Sequence, residues 1–172
     1  LIVKTIPLNH RVPCNGFLIK EQVKSRKIVS EAIVKYGVPH TAINFLKDGA
    51  DYLNENKQRV ANHLLTAEPL PSFSYAYCSD TTYYEALVPI IKDVDVLYHE
   101  ATFMDEAKDK AALRFHSTTK EAATIAKMAN VGQLIIGHYS AKYKDLNPLL
   151  EEAKSVFPNS ALAIEGEHYP IG

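Results

Sequence analysis

Apolar residues along the chain fall into patterns that predict a layered α/β protein. The runs LIVKTIPL (1–8) and GFLIKE (16–21) indicate two adjacent strands joined by a polar turn. From residue 73 onward strand and helix patterns alternate, with strands at 73–79, 94–100, 133–137 and 161–166 and helices at 81–93, 116–131 and 145–158. Alternation of this kind predicts an α/β fold in which consecutive strands can pair in parallel.

Terminal signals support the predicted helices. Thr118 and Glu121 have the spacing of a capping box, and Asn147 precedes Pro148 as an N-cap precedes a first helical proline. Pro89 predicts a kink in the helix that starts at residue 81, because proline cannot donate a helical hydrogen bond.

Residues 20–70 depart from this pattern and are interpreted as an insertion that contains some helix. The segment opens with the basic run KEQVKSRK and continues with IVSEAIVKYG, whose apolar spacing is helical up to the glycine. The chain also starts inside a predicted strand without an initiator methionine. We therefore expect it to be a piece of a longer protein.

Composition excludes several classes of protein. With 172 residues, 47% of them hydrophobic, the chain can bury a core without disulfides or structural metals. The single cysteines Cys14 and Cys78 favour a reducing cytoplasm, and no apolar run is long enough to span a membrane. Because the formal net charge is −1, any phosphate-binding surface must be a local cluster of cations.

The predicted strands end on side chains that bind metals or transfer protons. Asp80, Glu100 and His138 each end or follow a strand. His10 lies in the first turn, and His116 lies just before a helix. In open α/β sheets such groups meet beyond the carboxyl ends of the strands. Histidine and aspartate are ligand types that Zn²⁺ takes, and a histidine beside a carboxylate can transfer protons.

Each of these residues also has a simpler interpretation when taken alone. Asp80 could cap a helix, His116 could be a surface or capping residue, and Glu100 could be solvated or ion-paired. His10 in a turn carries little information by itself. His99 is interpreted as structural, because strand alternation directs it away from Glu100.

Five short motifs in order along the chain resemble those of the ribonuclease Z family, the tRNA 3′-processing endonucleases of the metallo-β-lactamase fold. They are PLNHRVPCNGF (7–17), CSDT (78–81), HEAT (99–102), HST (116–118) and GHYSAKY (137–143). The resemblance implies that residues 1–172 form the C-terminal half of an αββα sandwich. The family's H-x-H-x-D-H motif belongs to the half that this chain lacks.

The resemblance also implies roles for the candidate residues. His10 would ligate one zinc ion, Asp80 would bridge two, and His138 would ligate the second. His116 would act on the leaving group of the scissile phosphate, with Glu100 orienting it. Two zinc ions are expected in the complete enzyme, whereas the fragment itself is expected to be inactive.

The family further implies precursor tRNA as the substrate, a homodimer and a cytoplasmic location, with no membrane association. Its substrate-binding arm would correspond to the insertion at 20–70. The candidate phosphate contacts there are the basic residues Lys20, Lys24, Arg26 and Lys27. A solvated charged face is the alternative interpretation of this run.

Two other functions remain open at this point. The first is a hydrolase of the same fold that acts on another phosphodiester or on an ester. The second is a catalytically silent RNA-binding or dimerisation module, because His10, Asp80 and His138 alone would hold a metal weakly.

Overall fold

A six-stranded mixed sheet forms the centre of the larger of two compact units in the computed structural model, which describes residues 1–171. The larger unit contains Leu1–Glu21 and the chain from Phe73 onward, and the smaller unit is Gln22–Ser72. The strands are β1 (Ile2–Leu8), β2 (Cys14–Lys20), β3 (Lys27–Ile28), β4 (Tyr52–Leu53), β5 (Arg59–Val60), β6 (Thr66–Ala67), β7 (Ser74–Cys78), β8 (Val96–Glu100), β9 (Gln133–Gly137) and β10 (Ser160–Leu162). The α-helices are α1 (Ser30–Lys35), α2 (Ile43–Lys47), α3 (Asn62–Leu65), α4 (Lys108–Leu113), α5 (Thr119–Met128) and α6 (Asn147–Lys154).

The strand order of the large sheet brings several strand ends to one edge. The order is β1-β2-β7-β8-β9-β10. Strands β7 to β10 are parallel to one another, whereas β2 is antiparallel to both β1 and β7. The carboxyl ends of β7, β8 and β9 therefore lie at the same edge. Because β2 runs the opposite way, the turn between β1 and β2 reaches that edge as well.

One face of this sheet is buried beneath two helices. Helix α5 packs against β8, β9 and α6, and α6 also packs against β10. The predicted capping box is confirmed, since the Thr118 hydroxyl accepts from the Glu121 N–H and the Glu121 carboxylate accepts from the Thr118 N–H. The core combines side chains of both layers: Ile6, Leu18, Ala76, Leu97, Leu134, Ile136, Ala122, Ile125, Ala126, Leu149 and Ala153.

The opposite face carries a row of aromatic and aliphatic side chains in register across four strands. Phe17, Tyr77, Tyr98 and Ile135 are successive cross-strand partners. The Tyr77 and Tyr98 rings are stacked, with centroids 4.7 Å apart. The Tyr98 ring also occupies the space where a Cβ at Gly137 would lie, since that atom would meet the Tyr98 Oη at 2.4 Å. A side chain at 137 would therefore have to displace the Tyr98 ring.

The helix predicted at 81–93 is wrong. The segment contains only a short 3₁₀ helix at Glu85–Leu87, followed by turns. Pro89 has no N–H to donate to the carbonyl of Glu85, which accepts instead from the Val88 N–H in a tighter turn. The apolar spacing nevertheless identified buried positions, because the Leu87 and Ile91 side chains both lie in the core.

The predicted start of the last helix is also shifted by one residue. Leu146, not Asn147, occupies the N-cap position, so that Pro148 lies one residue later than expected within the first turn. At this helix start the Asp145 carboxylate accepts a hydrogen bond from the Asn147 N–H.

The smaller unit has its own core and two short antiparallel strand pairs. Strand β3 pairs with β6, and β4 pairs with β5. Buried apolar side chains from its helices and strands pack together: Ala32, Val38, Leu46, Val60 and Leu65. The helical spacing seen in IVSEAIVKYG is confirmed as α1, and Gly37 beyond it has a positive φ of 61°. The role of residues 20–70 as a substrate-binding arm stays a prediction.

Across residues 1–171, none of the helices combines the length and the apolar composition that crossing a membrane requires.

Candidate metal and proton-transfer site

Four of the five residues that sequence reasoning selected come together at the shared edge of the sheet. Asp80, Glu100, His116 and His138 can each offer one ligand atom such that all of these atoms lie within 4.8 Å of one another. His10 lies beside this group, with its ring centroid 5.4 Å from that of His116. The His116 and His138 centroids are 5.2 Å apart, so the three imidazoles form a continuous cluster.

Left-handed backbone conformations turn these side chains out of their strands. Asp80 has a φ of 47° and His138 a φ of 62°, and each lies just beyond its strand. Aspartate and histidine are among the non-glycine residues that tolerate this region best.

His116 is positioned by the C-terminal cap of α4. The His116 N–H donates to the Ala111 carbonyl and the Phe115 N–H donates to the Ala112 carbonyl, which is the pattern of a Schellman motif. Phe115 occupies the left-handed position of that motif, with a φ of 59°. Glycine usually fills this position, so a phenylalanine there is conformationally costly.

The carboxylate of Glu100 is fully buried and accepts four hydrogen bonds. Its Oε1 accepts from the Thr81 N–H at 2.9 Å and from Nδ1 of His116 at 2.8 Å. Its Oε2 accepts from the Thr102 N–H at 3.2 Å and from the Thr102 hydroxyl at 2.7 Å. Because each oxygen already serves two donors, Glu100 orients its neighbours and is not a metal ligand in this arrangement.

The hydrogen bonds fix the same tautomer on all three histidines. His10 donates from Nδ1 to the Phe115 carbonyl at 2.9 Å, and His116 donates from Nδ1 to Glu100. The Thr102 hydroxyl gives its proton to Glu100, so it must accept from Nδ1 of His138 at 2.9 Å. Each imidazole is therefore held through Nδ1 and presents Nε2 to the site.

The pair formed by His138 and Asp80 fits a divalent cation. Nε2 of His138 lies 3.2 Å from Oδ1 of Asp80. With Nδ1 protonated, a neutral His138 offers a lone pair from Nε2, and the carboxylate offers lone pairs as well. Two acceptors this close need a cation between them, either a proton or a metal ion. Imidazole nitrogen and carboxylate oxygen are both zinc ligands, and the orienting partners behind the rings are typical of metal sites.

His99 has the structural role that alternation predicted. Its side chain is fully buried on the core side, and its Nδ1 donates to the Glu100 carbonyl at 2.7 Å. Nε2 has no hydrogen-bond partner within residues 1–171. Burial lowers the pKa of His99, an effect that the hydrogen bond to the Glu100 carbonyl partly opposes.

The cysteines are not candidate nucleophiles. Both are free thiols. Burial raises the pKa of Cys78 to about 12, which keeps it protonated at neutral pH. The pKa of Cys14 is raised as well, mainly by burial and to a smaller extent by the nearby negative charge of Asp80.

The basic run chosen as a phosphate-binding candidate is divided between the two units. Lys20 ends β2 in the larger unit, whereas Lys24, Arg26 and Lys27 belong to the smaller one. The Arg26 guanidinium donates to Glu68 at 2.7 Å and to the Thr66 hydroxyl at 2.8 Å. Nζ of Lys24 donates to the Pro71 carbonyl at 3.1 Å. Contact between these residues and RNA stays a prediction.

Sequence reasoning missed Thr102 and Thr81, which connect the selected residues to one another. Thr102 links Glu100 to His138. The Thr81 N–H donates to Glu100, and the Thr81 carbonyl accepts from the Ser117 hydroxyl. Both threonines stand in the quoted motifs CSDT and HEAT. The sequence signal that could have identified them is their place within two residues of the charged site residues Asp80 and Glu100.

The fold and the site define a metallo-β-lactamase-fold protein. Human tRNase Z, short form, superposes with a TM-score of 0.56 at 21% identity, over 99% of this chain and 43% of that chain. The metallo-β-lactamase fold protein YhfI from Bacillus subtilis superposes with a TM-score of 0.56 at 17% identity, over 93% of this chain and 45% of that chain. The predicted fold class is confirmed.

Sequence relatives give the narrower assignment: the chain is homologous to ribonuclease Z along nearly its whole length. It is 45% identical over 163 residues to Ribonuclease Z of Porphyromonas gingivalis, and 47% identical over 172 residues to that of Cytophaga hutchinsonii. These alignments cover 95% and 98% of this chain but 54% of each relative. The chain thus spans about half the length of the curated relatives it matches. No family model matches it.

Proposed function

We propose that the protein is a metal-dependent endoribonuclease that removes the 3′ trailer from precursor tRNA. The observation that carries this proposal is the buried Glu100, which holds His116 beside the ligand pair Asp80 and His138. The homology to ribonuclease Z supports the same activity. An oriented imidazole next to a cation site can supply a proton to the leaving group while the cation stabilises charge on the phosphoryl oxygens.

The metal ligands proposed in this chain are His10, Asp80 and His138. Zinc is proposed because the donors are imidazole nitrogen and carboxylate oxygen. When bound, a divalent cation supplies Lewis-acid stabilisation of charge on the phosphoryl oxygens and a lowered pKa for water. Three protein donors fall short of two complete ions, so further ligands are expected from outside this chain.

His116 is proposed as the general acid. Nδ1 of His116 is committed to Glu100 at 2.8 Å, which leaves Nε2 to face the substrate. As an imidazolium, His116 carries a proton on Nε2 as well as on Nδ1. Water attacks phosphorus while the bond from phosphorus to the 3′-oxygen breaks, and the Nε2 proton passes to that oxygen. The proton released by the attacking water returns to His116 or goes to solvent. The products are a tRNA with a 3′-hydroxyl and a trailer with a 5′-phosphate.

Cleavage of precursor tRNA by the intact protein and its His116→Ala variant tests the proposal. We expect the variant to lose about 10²–10⁴-fold in cleavage rate while keeping its metal content, because general acid catalysis has that magnitude. His168→Ala, at an exposed histidine far along the chain, is the matched control. Normal turnover by the His116 variant would remove the catalytic assignment.

The alternative functions predict different outcomes in the same experiment. A hydrolase of another phosphodiester or ester would cleave a small chromogenic phosphodiester well and leave precursor tRNA intact. A silent RNA-binding or dimerisation module would bind tRNA without cleaving it. The names of the homologues favour the nuclease. The homodimer and the cytoplasmic location are proposed with it, and light scattering of the purified protein measures the first.

A further inference from the structure

A cleft of about 330 Å³ opens beside His10 and His116 in the larger unit. Its lining comes from the turn after β1 and from the end of α4: His10, Arg11, Leu113, Arg114, Phe115 and His116. No carboxylate is among these residues. The cleft thus adjoins the proposed general acid and is lined by two guanidinium groups and two imidazoles.

The two arginines of this cleft differ from the other arginines of the sequence. Arg26 pairs with Glu68 and Arg59 pairs with Asp51, so their charges are compensated inside the smaller unit. Arg11 and Arg114 are exposed, and neither side chain has a hydrogen-bond or ion-pair partner within residues 1–171. In a chain of net charge −1, this is a local concentration of uncompensated positive charge.

Phe115 adds an exposed aromatic ring at a position where the backbone favours glycine. Its φ of 59° is the left-handed conformation of the Schellman motif, yet its side chain remains 37% exposed. The neighbouring Leu113 is 81% exposed. Orientation of His10 needs only the Phe115 carbonyl, which glycine would also provide. The ring also meets the His10 ring edge-on, with centroids 6.3 Å apart, and part of its surface remains exposed to the cleft.

We propose that this cleft binds a single-stranded nucleotide of the RNA substrate next to the scissile phosphate. Arg11 and Arg114 contact its phosphate oxygens, and the Phe115 ring stacks on its base. Guanidinium groups match phosphate geometry, and aromatic stacking is the usual way to hold an unpaired base without reading its sequence. This inference rests on the proposed nuclease function, because it places the nucleotide beside His116.

The test is fluorescence anisotropy with a short fluorescein-labelled oligouridylate, titrated with the intact protein over a series of salt concentrations. Each of Arg11→Ala and Arg114→Ala should weaken binding and lower the slope of log affinity against log salt by about 0.7, the value for one phosphate contact on a single strand. Lys127→Ala is the matched control, because Lys127 is an exposed cation in the last turn of α5, at the helix end away from His116. Its slope should equal that of the unmodified protein.

Phe115→Gly tests the stacking contact separately from folding. Glycine suits the left-handed position, so the variant should melt at the same temperature as the unmodified protein or higher. Oligouridylate affinity should nevertheless fall by roughly 5–100-fold with an unchanged salt slope, as expected for the loss of one base stack. Unchanged affinity would remove Phe115 from the proposal.

The cleft and the nuclease function can fail independently. If both arginine variants keep the slope of the unmodified protein, or if Lys127→Ala changes it equally, the cleft proposal is overturned even when precursor tRNA is cleaved. If the arginines govern oligouridylate binding but precursor tRNA stays uncut, the cleft stands and the nuclease assignment falls.

Discussion

The Thr102 hydroxyl lies 2.9 Å from Nδ1 of His138 and accepts a hydrogen bond from it, because its own proton goes to Glu100 at 2.7 Å. One buried carboxylate thereby orients two imidazoles: His116 directly, and His138 through a threonine. Behind a metal ligand, such partners fix both the ring orientation and the tautomer.

Replacing Thr102 should therefore weaken metal binding. Thr102→Val keeps the shape but removes the hydroxyl, and we expect metal affinity to fall by about 10–100-fold, as found when such orienting partners are lost. Thr102→Ser keeps the hydroxyl and should restore most of the affinity. Competition with a chromogenic chelator measures the affinity, and ¹⁵N spectra of the imidazoles report the His138 tautomer. Equal affinities for the valine and serine variants would contradict the link.

Glu100→Gln should destabilise the fold as well as misalign His116. The amide presents an NH₂ group to partners that are themselves donors, so at least one buried hydrogen bond is lost. We expect the free energy of unfolding to fall by about 1–3 kcal/mol, measured by urea denaturation. Glu151→Gln on the exposed side of α6 is the control and should be nearly neutral. A stable Glu100 variant with normal cleavage would argue against an orienting role.

The buried His99 predicts that stability declines in mild acid. Burial lowers its pKa in the folded protein below the ordinary value of 6.5, so the unfolded chain takes up the proton first. The free energy of unfolding should thus be unaffected above pH 6.5. Below it, this free energy should fall by up to about 1.4 kcal/mol per pH unit. Denaturation at several pH values measures this slope, which His99→Leu should reduce and His168→Leu, at an exposed site, should not.

Gly137→Ala should force the Tyr98 ring out of its position. The added Cβ would lie 2.4 Å from the Tyr98 Oη, and we expect a cost of about 1–3 kcal/mol in unfolding free energy. Tyr98→Ala opens the space, so the alanine at 137 should cost much less in that background. Equal costs in both backgrounds would show that the ring is not the obstacle.

Strand periodicity and helix caps predicted much of the large sheet and its helical layer. The capping box of Thr118 depends on contacts within one helix and so follows from local sequence. The burial of Ala122 and Ile125 follows from their helical spacing, which places them on the face that packs against the sheet. The helix at 81–93 failed because apolar spacing records which side chains are buried, whereas Pro89 decides whether the backbone can bond helically.

The convergence of the candidate site followed from the parallel strand ends that deliver Asp80, Glu100 and His138. Its hydrogen-bond relay could not be read from the sequence. Whether the Thr102 hydroxyl faces His138 depends on the pairing of β8 with β9, and Phe115 reveals its significance only through its positive φ. Pairing of Arg26 with Glu68 depends likewise on a tertiary contact.

The shared tautomer of the three histidines links folding to ion uptake. With each ring already secured through Nδ1, the donors are ordered when the chain folds, and an arriving ion finds them in place. An ion that binds only the folded protein should raise the free energy of unfolding by ~2.7 kcal/mol at a hundredfold excess over its dissociation constant. Thermal denaturation with and without the metal can therefore report occupancy of this centre without any RNA.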